Sequence, residues 1–178
     1  MIEISGAFQD NLCGGVTLME KLLQLLKENA RASSEQLAVM LNCTKEEVET
    51  AIADYEARGV IKGYQALINW EKADENRATA LIELKVSPKR DRGFDEVANR
   101  IMEFSEVESV SLMSGGFDLA VIVSGKSMQD IAMFVARRLS PLDGVLATAT
   151  HFFLTRYKDG GVSFVDEEID ERRDSWSD

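Results

Sequence analysis

The sequence contains few of the residues that build disulfide-held or metal-held folds. It has two cysteines, two prolines and a single histidine, His151, among 178 residues. Cys13 and Cys43 form neither a disulfide framework nor a zinc-ligand spacing, so we expect a cytoplasmic protein with no metal and no cofactor. No run reaches the roughly 20 apolar residues of a membrane span. The N-terminus also lacks the basic start and apolar core of a secretory signal.

Positive charge is scarce as well. The chain has 20 Lys and Arg against 31 Asp and Glu, a net charge of −11. Residues 1–76 hold 7 basic and 13 acidic residues, and residues 159–178 hold 2 and 8. An acidic chain repels polyanions at long range, which weighs against unspecific nucleic-acid binding. With 45% hydrophobic residues, the composition is that of one large globular domain or two small ones.

Apolar residues at helical spacing follow a flexible lead-in over residues 1–15. They predict a helix over Val16–Asn29 and a second, short helix that begins at Ser33 or Ser34 and ends at Leu41. A serine at the start of a helix accepts hydrogen bonds from its free backbone amides, so either serine can cap the second helix.

A third helix and a hairpin complete an N-terminal unit over residues 16–70. Thr44 and Glu47 have the spacing of a capping box, and Gly59 ends the helix. Residues 60–69 are expected to form a small two-stranded wing. The order predicts a winged helix-turn-helix, whose third helix ordinarily lies in the DNA major groove. Short three-helix units also serve as plain dimerisation modules, and that alternative stays open.

A polar segment, residues 71–77, is predicted to link this unit to a second domain over residues 78–158. There the patterns follow the order β-α-β-β-α-β, so the chain is α+β with a ferredoxin-like second domain. Residues 159–178 are expected to be a solvated acidic tail, or alternatively a mimic of DNA charge that docks on a basic surface.

Helices should cover one face of the sheet and leave the other face apolar. An open apolar face of this size is rare in monomers, which predicts a homodimer packed sheet on sheet. The residues assigned to the open face are Leu81, Val110, Leu112, Leu146, Phe152 and Leu154.

Ser114-Gly115-Gly116, named here the glycine corner, joins the two central strands. Glycine is expected there because a residue without Cβ turns tightly at little steric cost. Asp118 places a carboxylate in an otherwise apolar strand, and a buried charge needs partners. It either caps the backbone amides of its own corner or helps the glycine amides to bind a small zwitterion.

These features resemble the Lrp/AsnC family of transcription regulators. The residues that carry the resemblance are the run Tyr55–Tyr64, the corner Gly115–Asp118 and the strand around Val145–Thr150. The resemblance implies a winged helix-turn-helix, an effector-binding (RAM) domain, homodimers that assemble further to octamers, and an amino-acid effector. It assigns effector binding to Ser114, Gly115, Gly116, Asp118, Thr148 and Thr150. The candidate DNA contacts are Ser33, Ser34, Thr44, Lys45 and Thr50.

The third helix departs from what DNA binding favours. Over Thr44–Arg58, two basic residues stand against five acidic ones, although phosphate neutralisation supplies much of the affinity for DNA. A second hypothesis is therefore a metabolite-sensing or interaction module with weak or lost DNA binding. An enzyme is a third hypothesis, since some proteins that resemble this family decarboxylate sirohaem with the help of histidines. Only His151 is present here, so we predict that the chain is not an enzyme.

Overall fold

The computed structural model describes residues 18–73, 76–87 and 93–165. The chain divides between Leu67 and Ile68 into two compact units, ahead of the linker predicted at residues 71–77. The predicted lead-in, residues 88–92 and residues 166–178 of the predicted acidic tail lie outside the described residues. None of the described helices combines the length and the hydrophobicity that a bilayer span requires.

Three helices form the first unit: α1 (Leu18–Glu28), α2 (Ser34–Leu41) and α3 (Lys45–Ala57). Ser33 and Gln36 form a capping box at α2, and Thr44 and Glu47 form the one predicted at α3. Both satisfy free amides at a helix start, which explains why these short helices begin where they do. The core of the unit consists of Leu22, Leu26, Leu37, Ala38, Leu41, Val48 and Tyr55.

The predicted wing strands are absent from residues 60–69, which the structure describes in full. The chain leaves α3 through Gly59, whose φ of +69° favours glycine, and residues 62–69 are irregular and mostly exposed. A hydrogen bond of 2.9 Å from the Tyr64 hydroxyl to Glu56 ties this segment back to α3. An isolated two-stranded ribbon is marginal in water, and this segment has few apolar contacts to hold one.

The second unit begins with a one-turn helix, α4 (Trp70–Ala73), and then follows the predicted ferredoxin-like order. Its elements are β1 (Ala78–Val86), α5 (Asp95–Met102), β2 (Val107–Leu112), β3 (Leu119–Gly125), α6 (Met128–Phe134) and β4 (Val145–Phe152). The antiparallel sheet has the strand order β2-β3-β1-β4. The sheet residues Ile82, Leu84 and Val121 are fully buried, together with Ile101 of α5 and Leu139 beyond α6.

Two elements of this unit differ from the prediction. The helix from Ser127 changes after Phe134 into a π-helical segment, Val135–Leu139. The sequence pattern predicts a last strand over Val145–Tyr157, but the strand ends at Phe152 and a small hairpin follows, β5 (Lys158–Asp159) with β6 (Val162–Ser163). Its turn holds two glycines at positive φ, so residues 159–165 are folded and do not belong to a solvated tail.

The sheet register overturns most of the predicted open face. Val110 lies opposite Val121, Leu112 opposite Leu119, and Phe152 opposite Ala80, so all three lie on the helix-covered face. In β2 the apolar Val110 and Leu112 alternate with Ser109 and Ser111, and the apolar side of such an alternation lies against the core.

Of the six predicted residues, the register places Leu81 on the open face. Leu146 falls in an irregularity between β1 and β4, and Leu154 lies beyond the strand. The open face instead carries small, polar and charged residues beside two larger apolar ones: Thr79, Leu81, Glu83, Lys85, Ser109, Ser111, Ala120, Ile122, Ser124, Ala147, Ala149 and His151.

Candidate functional site

The glycine corner is an open, exposed loop between β2 and β3. The N–H of Met113 donates to the carbonyl of Asp118 at 2.8 Å and closes the loop. Neither Gly115 nor Gly116 has a positive φ, and a Cβ at either position would meet no atom within 4 Å. The prediction that this turn itself requires glycine is therefore wrong. The two glycines leave backbone amides uncovered at the surface, which is a property that a ligand can use.

Asp118 is half-buried and is bound to β1 rather than to its own corner. Its N–H donates to the carbonyl of Leu84 at 2.9 Å, and its carboxylate accepts from the N–H of Val86 at 2.8 Å. The side chain thus supplies an acceptor where the β1–β3 ladder ends. The prediction that Asp118 caps the amides of its own corner is therefore wrong, because the amide that its carboxylate binds belongs to the neighbouring strand β1. The second carboxylate oxygen accepts no hydrogen bond from the described residues.

Thr148 and Thr150 lie away from the glycine corner within one chain. They pair with Leu84 and Ile82, so both are half-buried on the helix-covered face. Strand β1 lies between β4 and β3 in the sheet. Two ordinary strand spacings place Thr148 about 10 Å from β3, the strand that follows the glycine corner. The Thr148 hydroxyl lies 3.4 Å from that of Ser140. A single chain therefore unites Ser114, Gly115, Gly116 and Asp118, and leaves the two threonines apart.

Four of the five candidate DNA contacts already have partners inside the helical unit. The hydroxyls of Ser33 and Thr44 accept from the backbone in the two capping boxes. The Thr50 hydroxyl donates to the Glu46 carbonyl at 2.7 Å. Lys45 is paired with carboxylates. Among the described residues, the Ser34 side chain makes no hydrogen bond. These hydroxyls therefore stabilise the helices through hydrogen bonds that a DNA contact would have to share or replace.

The two basic residues of the α3 region are neutralised by their own neighbours. The Lys45 ammonium lies 2.6 Å from Glu35 and 3.7 Å from Glu49, and Arg58 lies 3.3 Å from Asp54. The pKa of Glu35 is lowered from 4.5 to about 2, mainly by the hydrogen bond from Lys45, with further hydrogen bonds from the backbone and Ser33; the bond to Glu35 raises the pKa of Lys45. The exposed side of α3 consequently presents carboxylates without free positive charge.

His151 has a partner that the sequence pattern alone does not indicate. The imidazole Nε2 lies 3.4 Å from a carboxylate oxygen of Glu83, and His151 is exposed on the open face of the sheet. Alternation along each strand could place Glu83 and His151 on one face of the sheet. Only the register between β1 and β4, however, shows that the two side chains are neighbours. Among the described residues, no three His, Cys, Asp or Glu side chains lie close enough to hold a metal ion.

Comparison with known proteins identifies the class to which this architecture belongs. Residues 79–163 match the Lrp/AsnC ligand binding domain. The chain is 48% identical over 153 residues to the HTH-type transcriptional regulator YugG of Bacillus subtilis, covering 85% of this chain and 92% of that protein. The chain belongs to the Lrp/AsnC family of transcription regulators. It is accordingly a regulator and not an enzyme, as the sequence predicted.

Solved structures share the fold. AsnC of E. coli superposes with a TM-score of 0.62 at 16% identity, covering 78% of this chain and 91% of that chain. A transcriptional regulator of Neisseria meningitidis in complex with L-Met superposes with a TM-score of 0.66 at 23% identity, covering 80% and 91%. At these identities the likeness establishes the fold, and the predicted fold class is confirmed.

Proposed function

We propose that this regulator binds DNA through α2 and α3 and responds to a small amino acid that binds at the glycine corner. The observation that carries the proposal is the corner itself, with exposed backbone amides, open space at both glycines and a carboxylate beside them. Amides bind a carboxylate group, and the free oxygen of Asp118 can accept from an ammonium group. The L-Met complex of the Neisseria regulator is in keeping with such an effector.

The regulator would act in the cytoplasm as a homodimer, with octamers as the larger assembly. Leu81 and Ile122 face each other across β1 and β3 on the open side of the sheet, with Ala120 and Ala149 around them. A second copy that covers this face would bury the two larger apolar side chains. Assembly would also be needed for the threonines to contribute to a site at the corner, because one chain keeps them apart.

The proposal is tested by titrating the full chain with the twenty amino acids and following its thermal unfolding. An effector at 100 times its dissociation constant should stabilise the protein by about 2.7 kcal/mol. A gel shift on DNA upstream of the protein's own gene, at low salt, with and without that effector, tests the response. No stabilisation by any amino acid and no shift at low salt would reject the proposal.

A second candidate function is an interaction module with weak DNA binding. The acidic exposed side of α3 favours this function, since Lys45 and Arg58 already form ion pairs with neighbouring carboxylates. Such a module would be stabilised by an effector and yet give no gel shift at low salt. Co-purification with a basic paralogous regulator would then distinguish the two functions.

A further inference from the structure

A cavity lies at the end of the β2–β3 pair that is remote from the glycine corner. Its volume is about 800 Å³, and its walls come from the start of β2, the end of β3 and the helix α6 with its π-helical continuation. Strand β3 runs from Leu119 to Gly125 between the two places. At about 3.3 Å per residue they lie roughly 20 Å apart, so this cavity is separate from the proposed effector site.

The cavity is locally positive in a chain whose net charge is −11. Four basic and three acidic side chains line it. Glu106 accepts from Arg138 at 2.6 Å, and Glu108 accepts from Arg77 at 3.1 Å. Asp130 is hydrogen-bonded to the Ser127 hydroxyl at 2.8 Å. Within the described chain, Lys126 and Arg137 form no ion pair, so two positive groups remain available to a ligand.

The arginines of the cavity are held by an unusual backbone. Arg137 and Arg138 belong to the π-helical segment Val135–Leu139, and the Ser140 N–H donates to the carbonyl of Val135 at 2.8 Å. Such wide turns are rare and occur often at functional sites. The Arg138 guanidinium lies 4.3 Å from the centre of the Phe104 ring, which fixes its position.

The floor of the cavity is apolar. Ile131 and Phe134 are buried beneath it, and Met133 is partly exposed beside them. A concave, partly apolar surface with a few convergent charged groups is the usual form of a small-molecule site.

We propose that this cavity binds a small organic monoanion, with its carboxylate on Lys126 and Arg137 and its apolar body on the floor formed by Ile131, Met133 and Phe134. The excess of one positive charge in the lining matches a single carboxylate, and charge-assisted bonds to a guanidinium are the stronger kind. Because the residues that line the two places differ, this site is independent of the glycine corner.

The test uses calorimetric titration of the full chain with benzoate, an aromatic carboxylate, and with benzamide as its uncharged counterpart. Wild-type protein should bind benzoate in the roughly millimolar range of a fragment-sized ligand and bind benzamide more weakly. The double variant K126Q/R137Q should lose about tenfold in affinity, as expected for two lost charge-assisted bonds. The matched variant K27Q/R31Q, which removes the same two charges from the helical unit, should bind benzoate as the wild type does.

Three outcomes would overturn the proposal. They are no heat of binding with benzoate, equal losses in the two double variants, and inorganic phosphate binding as tightly as benzoate. Replacement of Gly116 by valine should leave benzoate binding unchanged. This control distinguishes a failure of amino-acid binding at the glycine corner from a failure of carboxylate binding in this cavity.

Discussion

The Asp118 carboxylate accepts a hydrogen bond from the backbone N–H of Val86 at 2.8 Å, across the end of β1 and β3. The Val86 side chain is buried in the core. A buried N–H without an acceptor is costly, so a side chain that replaces a ladder partner stabilises the sheet. The same carboxylate stands beside the glycine corner, which connects the proposed effector site to the sheet.

Replacing Asp118 with alanine should lower the free energy of unfolding of the second unit. It removes the acceptor of the Val86 N–H, and an unsatisfied buried donor costs about 1–3 kcal/mol. Asp118→Asn retains an acceptor oxygen and should recover most of the stability. Urea unfolding followed by circular dichroism measures both. Wild-type stability in Asp118→Ala would show that the hydrogen bond contributes nothing.

Gly116→Ala should leave the stability of the fold unchanged to within about 0.5 kcal/mol, the usual range for surface substitutions. No atom lies within 4 Å of the added Cβ, and the φ of Gly116 is not positive. Gly116→Val should likewise fold, yet weaken amino-acid binding because its branched side chain would shield the corner amides. Thermal unfolding with and without effector gives both quantities, and full effector binding by Gly116→Val would place the effector elsewhere.

Local interactions explain which parts of the fold were predictable. The α3 start was predicted because Thr44 and Glu47 satisfy each other's backbone amides within one turn. The face of β4 was not, because Phe152 is assigned to its face by Ala80, a partner distant in sequence. The π-helical turn after Phe134 follows the same apolar pattern as an α-helix, so the sequence carries no separate signal for it.

The glycine corner was predictable as a turn between two strands, but its detailed geometry was not. The pattern Gly115–Asp118 marked the corner, but the reason given for its glycines was wrong and the partner of Asp118 is a backbone amide. No side-chain motif identifies a backbone partner such as Val86, since any residue offers the same N–H. Residue type alone indicated the five candidate DNA contacts. It does not show that the hydroxyl of Thr50 already donates a hydrogen bond to the carbonyl of Glu46.

Two threonines of α3 should respond differently to alanine. Thr44→Ala removes the capping box and should cost about 1 kcal/mol of unfolding free energy in the helical unit. Thr50→Ala removes a hydroxyl that bonds to the carbonyl four residues earlier, at an exposed position, and alanine is the better helix former. Its stability should therefore equal or exceed that of the wild type. Amide hydrogen exchange of α3 measures the stability of both variants. Equal destabilisation by Thr44→Ala and Thr50→Ala would contradict the role of Thr44 as a helix cap.

The ion pair between Glu35 and Lys45 should stabilise the helical unit in a pH-dependent way. The folded pKa of Glu35 is about 2, against an ordinary value of 4.5. A depressed folded pKa gives stability that is present above the unfolded pKa and is lost as pH falls through the folded one. The stability difference between wild type and Glu35→Gln should thus be constant above pH 4.5 and vanish towards pH 2.

Melting curves of both proteins across this range provide the measurement. Both side chains are solvent-exposed, so the difference is expected to be small and to shrink in high salt. In a Lys45→Gln background the Glu35→Gln change should lose most of its pH dependence, because Lys45 is the largest cause of the lowered Glu35 pKa. An undiminished pH dependence in that background would assign the effect to another partner.

Charge reversal on α3 should strengthen DNA binding if that helix lies against the phosphates. Glu46 is exposed in the first turn of α3, where its negative charge would repel the backbone of a duplex. Glu46→Lys should raise the affinity at low salt and steepen the dependence of log K on log salt by about 0.9 per new phosphate contact. The matched variant Glu103→Lys, an exposed carboxylate after α5, makes the same change of charge in the other unit.

Gel shifts at several salt concentrations separate a local contact from a general charge effect. Identical slopes for the two variants would mean that α3 does not face DNA, and the interaction-module function would then be preferred.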